Sequence, residues 1–373
     1  MTDTTHDADA TEETTDAEAR GGATGETVDA AGADATGRQP IDGLALDEAV
    51  ERVVAREGER DPETVRAALE HVAEDGVVSG AAVADALKET SKLVATAETR
   101  TELAGIALDD AREAAEPVAD LPTVAARLDR FAAEVSAVEE RAAALGEAVQ
   151  SVVDDREDPT ARFAVADGIR RIESRSRTVQ RTADDLQFDL EDFERWLDSH
   201  EVRVRELGDD VDALDSSLDA LAAAVDDLAD ALANADQTAA GQASDGATEP
   251  GTDFGNTWFD ATLRVRVIGL TVADLRAELA DLRTWADRED VDGANVGVDG
   301  GLEGVEARLD DIEARRAALA DRLDGLAEPD WRDRFGDRID GFERDLDGLA
   351  PPVEWGAVER ALEGRRTETE SST

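Results

Sequence analysis

The sequence predicts an all-α protein: an elongated antiparallel helical bundle or coiled coil, with a disordered acidic N-terminal tail and an internal linker. Three observations predict it. The first is a stripe with alternating four- and three-residue spacing, kept for about ten heptads: Val165, Ile169, Ile172, Ser176, Val179, Ala183, Leu186, Leu190, Phe193, Leu197, His200, Val204, Leu207, Val211, Leu214, Leu218, Leu221, Val225, Leu228 and Leu232. The second is the same spacing in other segments, each bounded by proline or glycine. The third is a shortage of aromatic side chains, 3% of the chain, which suits the thin core of a bundle.

A stripe of 3.5-residue period buries itself against another helix and imposes a left-handed supercoil. Only Ser176 and His200 are polar within it, and no proline interrupts it. Asp198-Ser199-His200 is the one place where a break is expected, because Asp and Ser compete for backbone hydrogen bonds. The phase survives across it, so the reading favours one continuous helix, on the order of 100 Å long at 1.5 Å rise per residue.

Residues 1–40 hold Asp, Glu, Thr, Ala and Gly with almost no large apolar side chain. They cannot bury enough surface to offset ordering entropy and are expected to be disordered. A small helical unit comes next at 41–80. Leu46, Val50, Val53 and Val54 mark one helix; Asp61-Pro62 starts the next with an N-cap and a first-turn proline. Glu74-Asp75-Gly76 is a turn, and Ser79 is a cap for the helix after it. Three short helices in this order resemble a helix-turn-helix, but the acidic faces favour a capping mini-bundle.

The long helices are expected over 81–234. An alanine-rich seam runs from Val83 to Ala115, Pro117 and Pro122 bracket a turn, and a seam runs from Val124 to Val152 before Asp158-Pro159. Residues 235–256 read as a flexible linker. A C-terminal bundle is expected over 257–363, with seams from Trp258 to Leu282, from Leu302 to Leu326 (Arg316 the polar exception) and from Phe335 to Leu349, then Pro351-Pro352 and a last helix through Val358 and Leu362. Residues 364–373 are expected to be a disordered tail.

The chain of 373 residues carries 91 acidic against 39 basic side chains, a formal charge of −52. The excess is spread along the helices, so self-repulsion opposes compaction in dilute buffer. In molar salt the Debye length falls to about 3 Å and that repulsion largely vanishes. Lys88 and Lys92 are the only lysines, all other basic residues being arginine. Arginine is the more weakly hydrated cation, and with abundant Asp and Glu it fits a salt-saturated, haloarchaeal cytoplasm. The first residues show neither a basic region nor an apolar core, so no secretory signal is expected. No apolar run reaches the ~18–20 residues of a membrane span, so no membrane partner is expected.

Chemistry is sparsely marked. Cysteine is absent, which removes thiolate nucleophiles and sulfur-ligated metals. Histidine occurs as His6 in the tail, His71 in a short helix and His200 on the seam, where a polar residue sets register more often than it binds a ligand. Paired carboxylates such as Asp109-Asp110, Asp226-Asp227 and Asp310-Asp311 lack an apolar pocket and read as solvated faces. The Asp290-Val291-Asp292-Gly293 loop fails the calcium pattern, with Ala294 fifth, Asn295 sixth and Gly301 twelfth. No phosphate-cradling loop and no Gly-x-Ser-x-Gly occurs. No enzyme activity, catalytic residue, metal or cofactor is expected.

One stretch departs from the acidic background. Arg162, Arg170, Arg171, Arg175, Arg177 and Arg181 stand against only Asp167 and Glu173 between residues 162 and 181. Pairing with acids of a neighbouring helix is the plain explanation; docking of an acidic partner or phosphate is the functional one.

The segments Leu46-Asp-Glu-Ala-Val-Glu-Arg-Val-Val, Asp61-Pro-Glu-Thr-Val-Arg-Ala-Ala-Leu, Glu74-Asp-Gly-Val-Val-Ser, Thr96-Ala-Glu-Thr-Arg-Thr-Glu-Leu-Ala-Gly-Ile-Ala-Leu, Gln180-Arg-Thr-Ala-Asp-Asp-Leu-Gln and Phe193-Glu-Arg-Trp-Leu resemble a haloarchaeal family labelled "halo transducer protein", over roughly residues 41–365. The resemblance implies a helical protein linked to sensory signalling. The chain departs from membrane transducers in having no span and no glycine-flanked hairpin tip for docking a kinase, so no functional residue is carried over. The expected function is a non-enzymatic coiled-coil interaction or signalling scaffold of a halophile cytoplasm. It would pair with itself or a protein partner through its seams. The alternative is a chromosome- or cell-architecture coiled coil that contacts nucleic acid through Arg162–Arg181, against which the overall acidity argues.

Overall fold

The computed structural model describes residues 40–58, 60–241, 251–289 and 301–367. These contain ten α-helices, one 3-10 turn and one two-stranded ribbon, so the chain is all-α. The expected disordered tail lies outside the described residues except for Pro40, as does the Asp290–Gly293 loop beyond Glu289.

A cap comes first. Helix α1 (Leu46–Glu57) packs on α2 (Pro62–Glu70). Asp61 opens α2 by accepting from the Thr64 amide at 2.9 Å, with Pro62 in the first turn. The expected turn at Glu74-Asp75-Gly76 is a β-hairpin, and the helix after Ser79 is long, 36 residues, rather than the third short helix of a helix-turn-helix. Ala73–Glu74 (β1) and Val77–Val78 (β2) pair antiparallel across Asp75-Gly76, whose φ values of 50° and 76° are those a two-residue hairpin turn needs. Gly76 supplies the left-handed conformation without strain, which is why Asp-Gly makes a hairpin here.

The first bundle is built from the next three helices. Helices α3 (Gly80–Ala115) and α4 (Pro122–Asp155) are joined through a 3-10 turn at Glu116–Val118, and α5 (Arg162–Asp198) completes the set. Ser79 caps α3 by accepting from the Ala82 amide at 3.1 Å. Gln180 and Gln187 of α5 donate to the carbonyls of Leu93 and Arg100 of α3, at 2.9 and 3.2 Å. Both helices advance seven residues between these bonds, so α3 and α5 run parallel and α4 runs between them in the opposite sense. Ala97, Ala104 and Ala111 are fully buried, and their small size lets the helices approach closely. Ser176 is completely buried on the seam; its hydroxyl bonds the Ile172 carbonyl at 2.8 Å, which removes the penalty for an unpaired polar group.

The long helix is not continuous. α5 ends at Asp198, Ser199 is extended at φ −127° and ψ 108°, and α6 (His200–Gly241) begins afresh. The heptad phase gives no warning of this, because it persists on both sides. The break assigns the two halves to different bundles: α5 packs on α3 and α4, whereas α6 packs on α7 (Gly251–Arg288) and α8 (Gly301–Leu326). The single block expected over 81–234 is therefore divided at Ser199. Arg308–Asp212, Arg315–Asp219 and Arg322–Asp226 advance by seven on each helix, so α6 and α8 run parallel around an antiparallel α7.

The expected linker also shrinks. α6 reaches Gly241 and α7 starts at Gly251, leaving 242–250 outside the described residues. Helix begins this early in α7 because its first turns have something to cover: the backbone at Gly255 sits against Trp331 and Phe335 of α9 (Pro329–Asp347). Trp258, Phe259, Trp331 and Phe335 form one aromatic cluster, with Phe259 and Phe335 stacked at 4.7 Å. Trp258 donates its indole N–H to the Leu323 carbonyl at 2.9 Å, satisfying one acceptor near the end of α8. Arg316, the polar exception on its seam, bonds Glu313 at 2.7 Å and fills the space beside Gly269. The expected C-terminal tail is helical through Thr367 as part of α10 (Trp355–Thr367), where Arg365 pairs with Asp345 at 2.7 Å and Arg366 with Asp260 at 3.2 Å.

Candidate functional site

The six arginines of the basic stretch do not form one group. Arg162 is buried, donating to Asp42 at 2.8 Å and to the Arg156 carbonyl, and it ties the segment before α1 to the start of α5. Arg170 and Arg171 converge on Asp167, at 2.8 Å for Arg170, and Arg60 faces the same carboxylate. Arg177 pairs with Glu173 at 2.9 Å. Most of this pairing is with acids one turn away on α5 itself rather than on a neighbouring helix. Arg181 bonds only the Arg177 carbonyl and the Thr178 hydroxyl, and Arg175 is exposed with no ion-pair partner among the described residues. Arg175 and Arg181 remain available, both exposed and, six residues apart, about 120° from each other around the outer side of α5.

His71 Nδ1 lies 3.6 Å from Glu173 and 29% of its side chain is exposed. His200 sits in the first turn of α6 with Nδ1 buried and unpartnered. His6 lies outside the described residues. Among the described residues no set of three or more His, Cys, Asp or Glu side chains is placed to hold a metal ion.

A denser constellation lies where the two bundles meet, and none of it is marked by the basic stretch. The break at Ser199 releases the last carbonyls of α5. Arg203, whose side chain is wholly buried, donates to the carbonyls of Trp196 (3.3 Å) and Leu197 (2.6 Å) and to Glu289 at the end of α7 (2.6 Å). Burial lowers its pKa, but an arginine holds its proton throughout the physiological range. Its guanidinium lies 3.8 Å from the Trp285 ring centre; Trp285 meets Trp196 edge-on at 5.4 Å; and Arg127 covers Trp196 at 4.1 Å. Phe193 and Phe131 continue the row at 5.7 and 5.4 Å.

Arg127 also bridges Glu206 of α6 (2.8 Å) and Glu278 of α7 (3.0 Å). One cation thus serves carboxylates from two helices, with Asp210 nearby. Burial raises the Glu278 carboxyl above the usual range; Arg127 opposes this, and Asp210 and Glu206 reinforce it. Asp210 is likewise raised, by burial first and then by Glu206. Beyond this tie, α4 and α6 wall a groove of about 1230 Å³. Ala133 and Ala137 stand on one side, Ala213 and Ser217 on the other, and Trp355 at the rim donates to Asp274 at 3.1 Å.

Two clues to this junction are present in the sequence. Trp196 and Trp285 are two of only five tryptophans, and Arg203 adjoins the one segment with a helix-breaking signature. Their convergence depends on the break, and the unbroken heptad conceals it. The fold defines a helical protein of two joined three-helix bundles, in which no helix among the described residues is long and apolar enough to cross a membrane. No family model, curated protein or solved structure matches the chain.

Proposed function

We propose that this chain is a non-enzymatic helical scaffold that docks an acidic partner through the outward face of α5. The halophilic, cytoplasmic and signalling setting belongs to the same proposal; it rests on the charge of −52, the arginine bias and the resemblance of residues 41–365. The observation that carries the docking site is that Arg175 and Arg181 have no carboxylate partner among the described residues, in a chain with 91 acidic side chains. A cation left unpaired amid so many acids is available to a partner. Arg171 and Arg177 flank it, and their partners Asp167 and Glu173 can be shared.

The test is recovery of interacting proteins in molar KCl with the natural chain and with Arg175→Glu/Arg181→Glu. Loss of one specific acidic protein at unchanged helicity and melting temperature supports docking. Equal recovery by both refutes it. Retention of duplex DNA by the natural chain, abolished by the same reversal, would favour the nucleic-acid reading instead.

A further inference from the structure

We propose that the α5–α6 elbow is a two-state device: the bent form exchanges with a straight form in which residues 162–241 are one helix and the bundles lie end to end.

The bend is sharp in sense. α4 runs opposite to α5, and it passes α7 antiparallel, since Thr123 meets Asp281 and, one turn on, Arg127 meets Glu278. α7 in turn runs opposite to α6, with Arg203 beside Glu289. α6 therefore leaves Ser199 in the sense of α4, back from the direction in which α5 arrived.

Four observations indicate that a straight alternative is built in. The seam positions Leu197, His200, Val204 and Leu207 keep the four-three spacing through the break, which a permanent corner has no need of. In the bent form the middle of that seam is only partly used: Leu197 and Leu207 are buried, but His200 and Val204 between them are half-buried, while the charged Arg203 beside them is buried to 1%. The local pattern and the observed packing thus disagree at this point, as they do where a chain has two competing arrangements. Third, Trp196 Nε1, His200 Nδ1 and Arg203 Nε, all at the elbow, are buried without a hydrogen-bond partner. Such groups raise the free energy of the state that contains them. Fourth, the ties that hold the bend are mostly ionic and polar: Arg127 to Glu206 and Glu278, Thr123 to Asp281, Arg288 to Asp120 at 2.7 Å, and Arg203 to the Trp196 and Leu197 carbonyls. Trp196 against Trp285 is the ring contact that crosses between the bundles.

In the straight form the α5 carbonyls now taken by Arg203 would accept from the amides of the next turn, and His200 and Val204 would enter the seam. Glu278 would separate from Arg127 and return to water, and Glu206, already half-exposed, would lose its partner on α4. A partner that binds either face of the opened groove would draw the population toward the rod, by its differential affinity for that state.

The chain has no cysteine, so paired spin labels at Ser174→Cys and Ser216→Cys report the elbow directly. In a straight helix these positions are about 63 Å apart along the axis, from 1.5 Å per residue; any bend shortens that. The Ser199 hydroxyl accepts from the Val202 amide at 3.3 Å, capping the start of α6. Arg203→Gln and Ser199→Ala each remove a contact found only in the bent form, and each should raise the long-distance fraction several-fold at full helicity. His200→Pro should do the reverse. Proline suits the first turn of α6 and the extended residue before it, and it forbids a helix running through. It should leave a single short distance with helicity unchanged. A single short distance in the natural chain, Arg203→Gln and Ser199→Ala alike overturns the proposal. So does a long-distance population that survives His200→Pro. Loss of helicity in both Arg203→Gln and Ser199→Ala also counts against it, since the straight state would then have given the released chain nowhere to go.

Discussion

The guanidinium of Arg203 lies 3.8 Å from the centre of the Trp285 ring while its N–H groups close off the end of α5. One side chain thus performs three tasks that usually fall to several: it supplies the missing donors for carbonyls at a helix end, neutralises Glu289, and covers an indole. Desolvating an arginine is costly, and the cost is offset only because Trp285 and Trp196 wall it in and the carbonyls are aligned.

Trp285→Ala should therefore lower stability by about 3–5 kcal/mol, the range for deleting a buried large aromatic. It also strips the cover from a buried charge, so the upper part of that range is expected. Trp285→Phe keeps a ring face and should lose clearly less. Urea unfolding followed by circular dichroism measures both. Equal losses for Phe and Ala would mean that packing volume, not the ring under Arg203, is what matters.

The six arginines of α5 should divide into two behaviours. Arg162→Gln should loosen the cap, because Arg162 is buried and joins Asp42 to the Arg156 carbonyl. Arg175→Gln and Arg181→Gln should move the melting temperature by no more than about 2–4 °C, since exposed charges without tight partners contribute ~0–1 kcal/mol at most. Gly80→Ala offers an independent probe of the same contact. Alanine is normally the better helix residue, by about 1 kcal/mol in a helix interior and less at a first position such as this one. Here its methyl would stand 2.8 Å from the Arg162 guanidinium, so the sign should reverse and the variant should melt lower. A higher melting point would show that Arg162 moves aside freely and is not a tie.

Folding should require high ionic strength. The structure pairs many arginines with acids, but most of these pairs are exposed and individually weak, as with Arg276–Asp310 and Arg283–Glu306. They cannot offset a formal charge of −52 at low salt. Circular dichroism in 0.1 M and 3 M KCl should show loss of helicity or a much lower melting point in the dilute buffer. Identical melting curves would contradict this and remove the main physical support for a halophilic setting.

How far the sequence reveals the fold differs by element, for physical reasons. The seams are legible because burial imposes a 3.5-residue period: Leu186, Leu190, Leu218 and Leu309 are all buried where the spacing places them. Asp61 and Ser79 are legible as caps because the chemistry is local. The hairpin at Asp75-Gly76 escapes pattern reading because strands of two residues are too short to show alternation. The elbow escapes it because its cause is not local. Trp196, one position off the seam, packs on Trp285, 89 positions away in the chain, and no spacing rule reports such a partner. For the arginines, the local charge excess is visible in the sequence. Which of them stay free depends on contacts such as that of Asp42, brought to Arg162 from 120 residues away.

Glu278 supplies the pH dependence. Its carboxyl is held above the ordinary value of about 4.3 by burial and by Asp210 and Glu206, in spite of Arg127. A raised carboxyl binds its proton more tightly in the folded than in the unfolded chain. Its contribution to stability is therefore full below the unfolded value and is lost as pH rises through the folded one. As pH rises above the unfolded value, the junction should weaken as the charge on Glu278 develops. Glu278→Gln keeps the shape and the link to Arg127 while removing that charge, and Arg127 retains Glu206 at 2.8 Å. The variant should gain on the natural chain as pH is raised from 5 to 7, by no more than about 1.4 kcal/mol for each unit of pKa difference. Denaturant midpoints at the two pH values, in molar KCl so that long-range repulsion is screened, measure the gain. If the two chains keep a constant difference across that interval, Glu278 is an ordinary ionised carboxylate, and the junction is not sensitive to pH through it.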